Sequence, residues 1–214
     1  MNDTERFEDM VVGSVNTWLG GDTYFVVLTL ESQQPYQEYC SQHSSCSNIH
    51  PIFVDCPEGK FREGPCCKQE KGMLYMYENY LDQFEWFVFS DDDVYIRKSY
   101  LEEFVKPLPF ESSNMILTSG REGKITKLGK AGFMRRKRAP YWCSYDTDFQ
   151  YPWGQPVVYS RSALQRVSNG LRLGGLVKQC VEYDVTHDVG NALFHWMYQL
   201  PESRIHVLDD EKQL

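Results

Sequence analysis

Short apolar runs alternate with segments of helical periodicity along the 214-residue chain. Three runs are rich in β-branched and aromatic residues and predict buried strands: Tyr24–Leu30, Glu85–Ser90 and Met115–Ser119. Helical spacing of apolar residues predicts four helices: Cys66–Phe84, Lys98–Val105, Ser160–Val167 with Ser160 as its N-cap, and Thr186–Tyr198. Strands that alternate with helices are typical of an α/β fold, with a mostly parallel sheet and flanking helices, here in a single domain over 1–214.

A long polar stretch, Glu31–Pro65, interrupts this alternation and predicts a loop that holds one short strand at Ile52–Val54. A loop of this length is usually functional or cross-linked. Five of the seven cysteines fall between Cys40 and Cys67, without the paired spacing of a zinc site. We interpret them as a disulfide-stapled segment in an oxidising compartment, with reduced cytosolic thiols as the alternative. The odd number of cysteines leaves one without a partner inside the chain.

The composition excludes several classes of protein. Hydrophobic residues make up 42% and aromatic residues 14% of the chain, which a disordered protein would not contain. The net charge of −8 argues against nucleic acid as the main partner, because a nucleic-acid-binding face must be basic. One basic segment, Lys124–Arg138, stands out from this acidic background, and a solvated loop explains it as well as a ligand site does. No apolar run is long enough to predict a membrane span.

Three consecutive carboxylates follow the strand Glu85–Ser90 directly: Asp91, Asp92 and Asp93. Their mutual repulsion favours a bound cation that offsets it. Ligands of open α/β sheets bind beyond the carboxyl ends of the strands, where this run lies. Oxygen ligands suit Mg²⁺ or Mn²⁺ together with substrate phosphates. The sequence therefore predicts a metal site, and an acidic turn or a helix N-cap is the structural alternative.

The residues around this run resemble the Fringe family, which is related to the core β1,3-galactosyltransferases. The resemblance covers about positions 6 to 206 and rests on several segments: Asn16-Thr17-Trp18, Cys66-Cys67-Lys68, Trp86-Phe87 with Asp91-Asp92-Asp93 and Tyr95, Tyr151-Pro152, Val157-Val158-Tyr159-Ser160, and Asp184-Val185-Thr186 with Gly190. It implies a GT-A type, Rossmann-like fold that lacks the family's opening strand and is shortened at both ends.

The resemblance also implies an activity. Family members are inverting glycosyltransferases that use Mn²⁺ (or Mg²⁺) and a UDP-sugar. We therefore expect transfer of galactose, or of a sugar of the N-acetylglucosamine or N-acetylgalactosamine type, in β1,3 linkage. The acceptor is a glycan on a glycoprotein or glycolipid. The expected location is the Golgi or secretory-pathway lumen, where the full-length protein is a type II membrane protein, or is secreted if it has no anchor.

Carried over to this sequence, the family pattern assigns Asp91, Asp92 and Asp93 to donor and metal binding, with Asp93 as the direct metal ligand. His206 falls where the family has a C-terminal metal-binding histidine, and an ordinary strand histidine is the alternative. The general base is Asp184 or, if the alignment is anchored on the following glycine, Asp188. A helix N-cap is the structural alternative for either aspartate. His195 lies in an apolar helical stretch and is interpreted as structural.

The match fails in one segment, where Gly154-Gln155-Pro156 replaces a glycine-rich stretch of the family. This departure keeps a second hypothesis open, a catalytically degenerate Fringe-like domain that acts as a glycan-binding or chaperone-like module. A metal-dependent phosphohydrolase is a third hypothesis, for which the sequence offers no further set of ligands.

Overall fold

The computed structural model of the chain describes residues 13, 24–58, 63–92, 94–108, 116–118, 123–124, 150–151, 156–183, 190–191, 194–195 and 205–207. Five α-helices are bounded within these residues: α1 (Gln33–Gln42), α2 (Glu63–Tyr80), α3 (Lys98–Val105), α4 (Arg161–Arg172) and α5 (Gly175–Tyr183). Eight strands are described: β1 (Tyr24–Thr29), β2 (Ile49–Val54), β3 (Trp86–Phe89), β4 (Ile116–Thr118), β5 (Gly123–Lys124), β6 (Gln150–Tyr151), β7 (Val157–Ser160) and β8 (Ile205–Val207). Strands and helices alternate, so the predicted α/β class with flanking helices is confirmed.

The strands form one four-stranded sheet and two pairs. β1 and β2 are parallel, and β5 pairs antiparallel with β6. The larger sheet has the order β3-β7-β4-β8, in which β7 is antiparallel to both of its neighbours and β4 is parallel to β8. The pairs β1–β2 and β4–β8 are therefore parallel, and the larger sheet is mixed because β7 is antiparallel to its neighbours.

Helices cover both faces of the strands. The face of β1 and β2 that includes Val26 and Leu28 packs with Tyr36 of α1, while Val27 on the opposite face meets α2. The larger sheet has its main core on the face of Tyr159, where α2, α4 and α5 bury residues such as Met73 and Leu164. On its other face, fully buried Val158 packs against α3. The helices therefore form layers on the faces of the sheets, and α2 packs against both β1 and the larger sheet.

Several predicted elements are confirmed. β1, β3 and β4 lie within the predicted runs, and α3 has the predicted bounds. Ser160 caps α4 as expected, since its Oγ accepts a hydrogen bond from the backbone N–H of Ala163 at 3.2 Å. The helix predicted over Thr186–Tyr198 lies mostly outside the described residues, although residues 190, 191, 194 and 195 are helical.

Two predictions need correction. Glu31–Pro65 is not a loop, because it contains α1 and a six-residue β2. α1 was not predicted because its sequence is polar and Tyr36 is its one buried residue. β1 and β3 are strands but are not buried throughout, since most of β1 is half-buried and Val88 of β3 is 45% exposed. Each of them is an end strand of its sheet among the described residues.

Candidate active site

The register of the larger sheet defines one edge at which the candidate residues gather. Phe89 is opposite Val157, Val157 is opposite Thr118, and Thr118 is opposite Val207. β3, β4 and β8 run in the same direction and end at this row, while β7 begins there. We call this row the carboxyl edge, because three strands reach it with their carboxyl ends. It is the position at which α/β sheets generally bind ligands.

Two of the predicted metal ligands lie just beyond the carboxyl edge. Asp91 and Asp92 follow the end of β3, where Asp91 is exposed and Asp92 is half-buried. The Ser90 hydroxyl donates a hydrogen bond to the Asp91 carbonyl at 3.1 Å. The third carboxylate, Asp93, lies outside the described residues. Both described carboxylates are therefore accessible to a ligand from solvent.

His206 belongs to β8, one row inside the same edge, where it pairs with Leu117 of β4. β8 is three strands from β3, which corresponds to roughly 14 Å between their backbones at ~4.8 Å per strand. Asp91 and His206 could bind the same ion only if their side chains converged beyond the carboxyl edge. Within the described part of the chain, no group of three or more His, Cys, Asp or Glu side chains is placed to hold a metal ion.

The two predicted general bases, Asp184 and Asp188, lie outside the described residues, in the stretch between the end of α5 and Gly190. α5 ends at Tyr183, and the helical backbone at Gly190 packs so closely on Cys180 that a Cβ at position 190 would overlap the Cys180 Sγ. Cys180 is in turn bonded to Cys66 of α2. Gly190 and α5 are therefore packed together at a position that is also bonded to α2.

A buried hydrogen bond between His195 and Tyr159 joins the helical backbone near Gly190 to β7. The Nδ1 of His195 donates to the Asn191 carbonyl at 2.6 Å, so Nε2 accepts the hydrogen bond from the Tyr159 hydroxyl at 2.7 Å. His195 is 1% exposed and Tyr159 is fully buried. Burial lowers the pKa of His195 to about 4 and raises that of Tyr159. The prediction of a structural His195 is confirmed, whereas the role of Tyr159 was not predicted.

Glu70 is a buried carboxylate that sequence reasoning did not identify. It is 3% exposed, and its Oε2 accepts hydrogen bonds from the backbone N–H groups of Leu176 and Val177 at 2.9 and 3.2 Å. Burial raises the pKa of Glu70, and the two backbone donors oppose that rise. Glu70 thus fixes the start of α5 to α2. The available sequence signal was its helical spacing, because the residues three and four positions away on either side, Cys66, Cys67, Met73 and Leu74, are apolar.

Six of the seven cysteines form disulfides, so the disulfide interpretation is confirmed over reduced thiols. Cys40–Cys46 closes the end of α1, Cys56–Cys67 joins the segment after β2 to α2, and Cys66–Cys180 joins α2 to α5. Cys143, the remaining cysteine, lies outside the described residues. The adjacent Cys66 and Cys67 therefore bond to different parts of the chain.

The sequence was compared with known proteins. It is 47% identical over 93 residues to chondroitin sulfate synthase 3 of Homo sapiens, a match that covers 44% of this chain and 9% of the relative. The Mus musculus chondroitin sulfate synthase 3 is 45% identical over 93 residues, with the same coverage. The match thus spans less than a tenth of the length of these curated relatives. No protein-family model matches the chain.

This similarity supports a relationship to a glycosyltransferase family, as the sequence predicted in general terms. Among the helices of the described residues, none is both long and apolar enough to cross a membrane.

Proposed function

We propose that the chain is the catalytic domain of an inverting, metal-dependent glycosyltransferase of the Fringe-like type. It transfers galactose or an N-acetylhexosamine from a UDP-sugar to a glycan in β1,3 linkage. The observation that carries this proposal is the position of Asp91 and Asp92 at the carboxyl edge of an α/β sheet, in a chain related to a glycosyltransferase. The acceptor is a glycan attached to protein or lipid.

The chemistry of the donor set fits Mn²⁺ or Mg²⁺. Carboxylate oxygens from Asp91 and Asp93, with an imidazole from His206, are the ligand types that Mn²⁺ accepts. When bound, the ion supplies positive charge to the diphosphate of the donor and so stabilises the departing UDP. Asp92 contributes further negative charge and hydrogen-bond acceptors to the donor side of the site.

Transfer with inversion at the anomeric carbon requires one general base and a single displacement of UDP by the acceptor hydroxyl. The carboxylate of Asp184 or Asp188 accepts the proton of the acceptor hydroxyl as its oxygen attacks the anomeric carbon of the donor sugar. The bond from that carbon to the UDP oxygen breaks on the opposite face, and UDP leaves with the electron pair. The close packing of Gly190 on Cys180 of α5 supports this role, because the two candidates lie between these positions in the chain and a base must be held within reach of its proton.

The disulfides support a location in the Golgi or secretory-pathway lumen. Three disulfides within one small domain form and persist in oxidising compartments and are rare in the cytosol. Glycoprotein and glycolipid acceptors are available in the same lumen. A type II membrane anchor in a longer form of the protein would hold the domain there.

The metal assignment is tested by UDP binding. Asp93→Ala should abolish Mn²⁺-dependent UDP binding measured by calorimetry, because it removes the proposed direct ligand. Asp82→Ala is the matched control: it removes an exposed aspartate from the turn after α2, at the other end of β3, and should leave binding unchanged. Equal UDP affinity in the two variants would refute the metal assignment.

The base is tested by transfer. Asp184→Asn should keep UDP binding and lose transfer to acceptor by at least ~10²-fold, the lower range of general-base contributions. If Asp188→Asn has that effect instead, Asp188 is the base. UDP binding without transfer to any β1,3 acceptor by the unsubstituted chain would favour the degenerate glycan-binding module.

A further inference from the structure

The short segment between the Asp91–Asp93 run and α3 presents polar side chains beside the candidate site. Its burial alternates from one residue to the next: Tyr95 is 64% exposed, Ile96 is 6% exposed, and Arg97 is exposed again. Side chains that alternate in this way lie on opposite sides of an extended backbone. The buried Ile96 therefore holds the segment against the protein, while Tyr95 and Arg97 project into solvent.

The packing of α3 gives the position of Arg97 relative to the sheet. Leu101 of α3 packs against Val158 of β7, which lies one row inside the carboxyl edge, next to Val157 of the edge row. The backbone N–H of Leu101 donates to the Arg97 carbonyl at 3.1 Å, so Arg97 is one helical turn before Leu101. The chain enters α3 from this edge. Since one turn rises ~5.4 Å and one strand residue ~3.3 Å, the Arg97 backbone lies at about the level of the carboxyl edge.

The proposed donor site needs more positive charge than a metal ion brings. The Asp91–Asp93 run has three carboxylates, and the diphosphate of a nucleotide sugar adds two further negative charges. A divalent ion offsets only part of this total. When the bond to the sugar breaks, the departing UDP gains another negative charge. A side-chain cation within reach of the diphosphate would therefore favour both donor binding and UDP departure.

The chemistry of Arg97 suits this role. A guanidinium group stays protonated, and its planar fork of N–H donors matches two phosphate oxygens at once. The neighbouring cation, Lys98, belongs to α3 and pairs with Glu102 one turn further along the helix, at 3.5 Å. Of these two adjacent cations, Arg97 is therefore the one on the segment that leads from the aspartates.

We propose that Arg97 binds the diphosphate of the nucleotide-sugar donor and stabilises the departing UDP. The inference rests on the proposed function and adds a substrate-binding residue to it. When the bond from the anomeric carbon to the diphosphate oxygen breaks, UDP leaves with the electron pair. The guanidinium N–H groups donate hydrogen bonds to the oxygens that gain the charge. Arg97 transfers no proton, because the proton of the acceptor hydroxyl goes to the general base.

Calorimetric titration of UDP in the presence of Mn²⁺ tests this contact without any acceptor. Arg97→Gln should weaken UDP binding at least ~tenfold, because charge-assisted hydrogen bonds to the diphosphate are lost. Arg97→Lys keeps the charge but not the fork, and should bind UDP more tightly than Arg97→Gln. Lys98→Gln is the matched control: it removes the adjacent cation, and should change UDP affinity by less than ~twofold.

Uridine separates a contact with the diphosphate from a general loss of the site, because it has the base and the ribose but no phosphate. Arg97→Gln should bind uridine as tightly as the wild type does. An equal loss of affinity for uridine and for UDP would overturn the diphosphate contact. The urea midpoints of the variants should match that of the wild type, because Arg97 is exposed and its side chain makes no capping hydrogen bond to α3.

The same titrations distinguish a failure of this inference from a failure of the proposed function. Equal UDP affinity in the wild type and in Arg97→Gln would overturn the role of Arg97 and leave the proposed function standing. Unchanged UDP affinity together with a raised KM for the acceptor would place Arg97 on the acceptor side and refute the diphosphate contact. If the wild-type chain does not bind UDP with Mn²⁺, the proposed function itself is refuted, and the role of Arg97 is refuted with it.

Discussion

Acidification should destabilise this fold through His195, and the effect can be isolated from every other titrating group. His195 is neutral in the folded protein, because its Nδ1 proton is used by the Asn191 carbonyl and its Nε2 accepts from Tyr159. A second proton on Nε2 would remove the acceptor of the Tyr159 hydroxyl and place a positive charge inside the core. The unfolded chain has no such restriction, so its histidine titrates at about 6.5.

The magnitude follows from the two pKa values. Burial places the His195 pKa at about 4 in the folded state. Between pH 6.5 and 4 the unfolded state therefore binds more protons, and the free energy of unfolding falls as the pH falls. The two values predict a loss of about 2 kcal/mol between pH 7.5 and pH 5 from this one residue.

Urea denaturation of the oxidised protein at pH 5, 6 and 7.5 measures this loss. The reference is His195→Gln, whose amide can donate and accept but does not titrate. Subtracting its pH dependence removes the contribution of Glu70, whose raised pKa has the opposite sign and lowers stability as the pH rises. The wild-type protein should lose about 2 kcal/mol more than the variant on acidification. Parallel pH profiles for the two proteins would refute the role assigned to His195.

Three further substitutions test how the core is held. Glu70→Ala should lower the free energy of unfolding by about 3 kcal/mol, because two buried N–H groups lose their acceptor. Glu70→Gln should lower it by less, because the amide oxygen can still accept. Equal urea midpoints for the wild type and both variants would contradict this. Gly72→Ala should lower Tm despite the better helix propensity of Ala, since the new Cβ would lie 2.8 Å from Val27; a raised Tm would show that Val27 moves aside. Replacing both Cys66 and Cys180 by Ala should destabilise the protein by about 4 kcal/mol, because their disulfide closes a sequence separation of 114 residues. A loss below ~1 kcal/mol in denaturant unfolding would show that packing alone holds α2 and α5 together.

The regular elements of this fold were largely predictable from periodicity. β1 and α3 carry apolar patterns that limit where they can start and end, whereas α2 was predicted over Cys66–Phe84 and extends over Glu63–Tyr80. α1 was not predictable in this way, because its sequence QQPYQEYCSQ has no apolar stripe and its stability depends on contacts with β2 such as Tyr36 with Phe53. Tertiary packing rather than local propensity decides such a helix.

The candidate site also contains features that the sequence predicts and features that only the tertiary structure shows. The Asp91–Asp93 run could be found because carboxylates directly after an apolar strand are unusual in sequence. The resemblance assigned His206 to the same site, but its place in the sheet could not be predicted, because that place depends on the β4–β8 register between residues 89 positions apart. The pairing of Cys66 with Cys180 was equally inaccessible, since three disulfides among seven cysteines can be drawn in 105 ways and only three-dimensional proximity selects one.

The central claim is that this fold binds a nucleotide sugar through a metal ion at its carboxyl edge. Calorimetric titration of UDP into the chain, with Mn²⁺ and with chelator, tests it most directly. We expect binding that requires Mn²⁺ and is lost in Asp93→Ala. The absence of UDP binding, or binding that is unchanged by chelator, would contradict the claim.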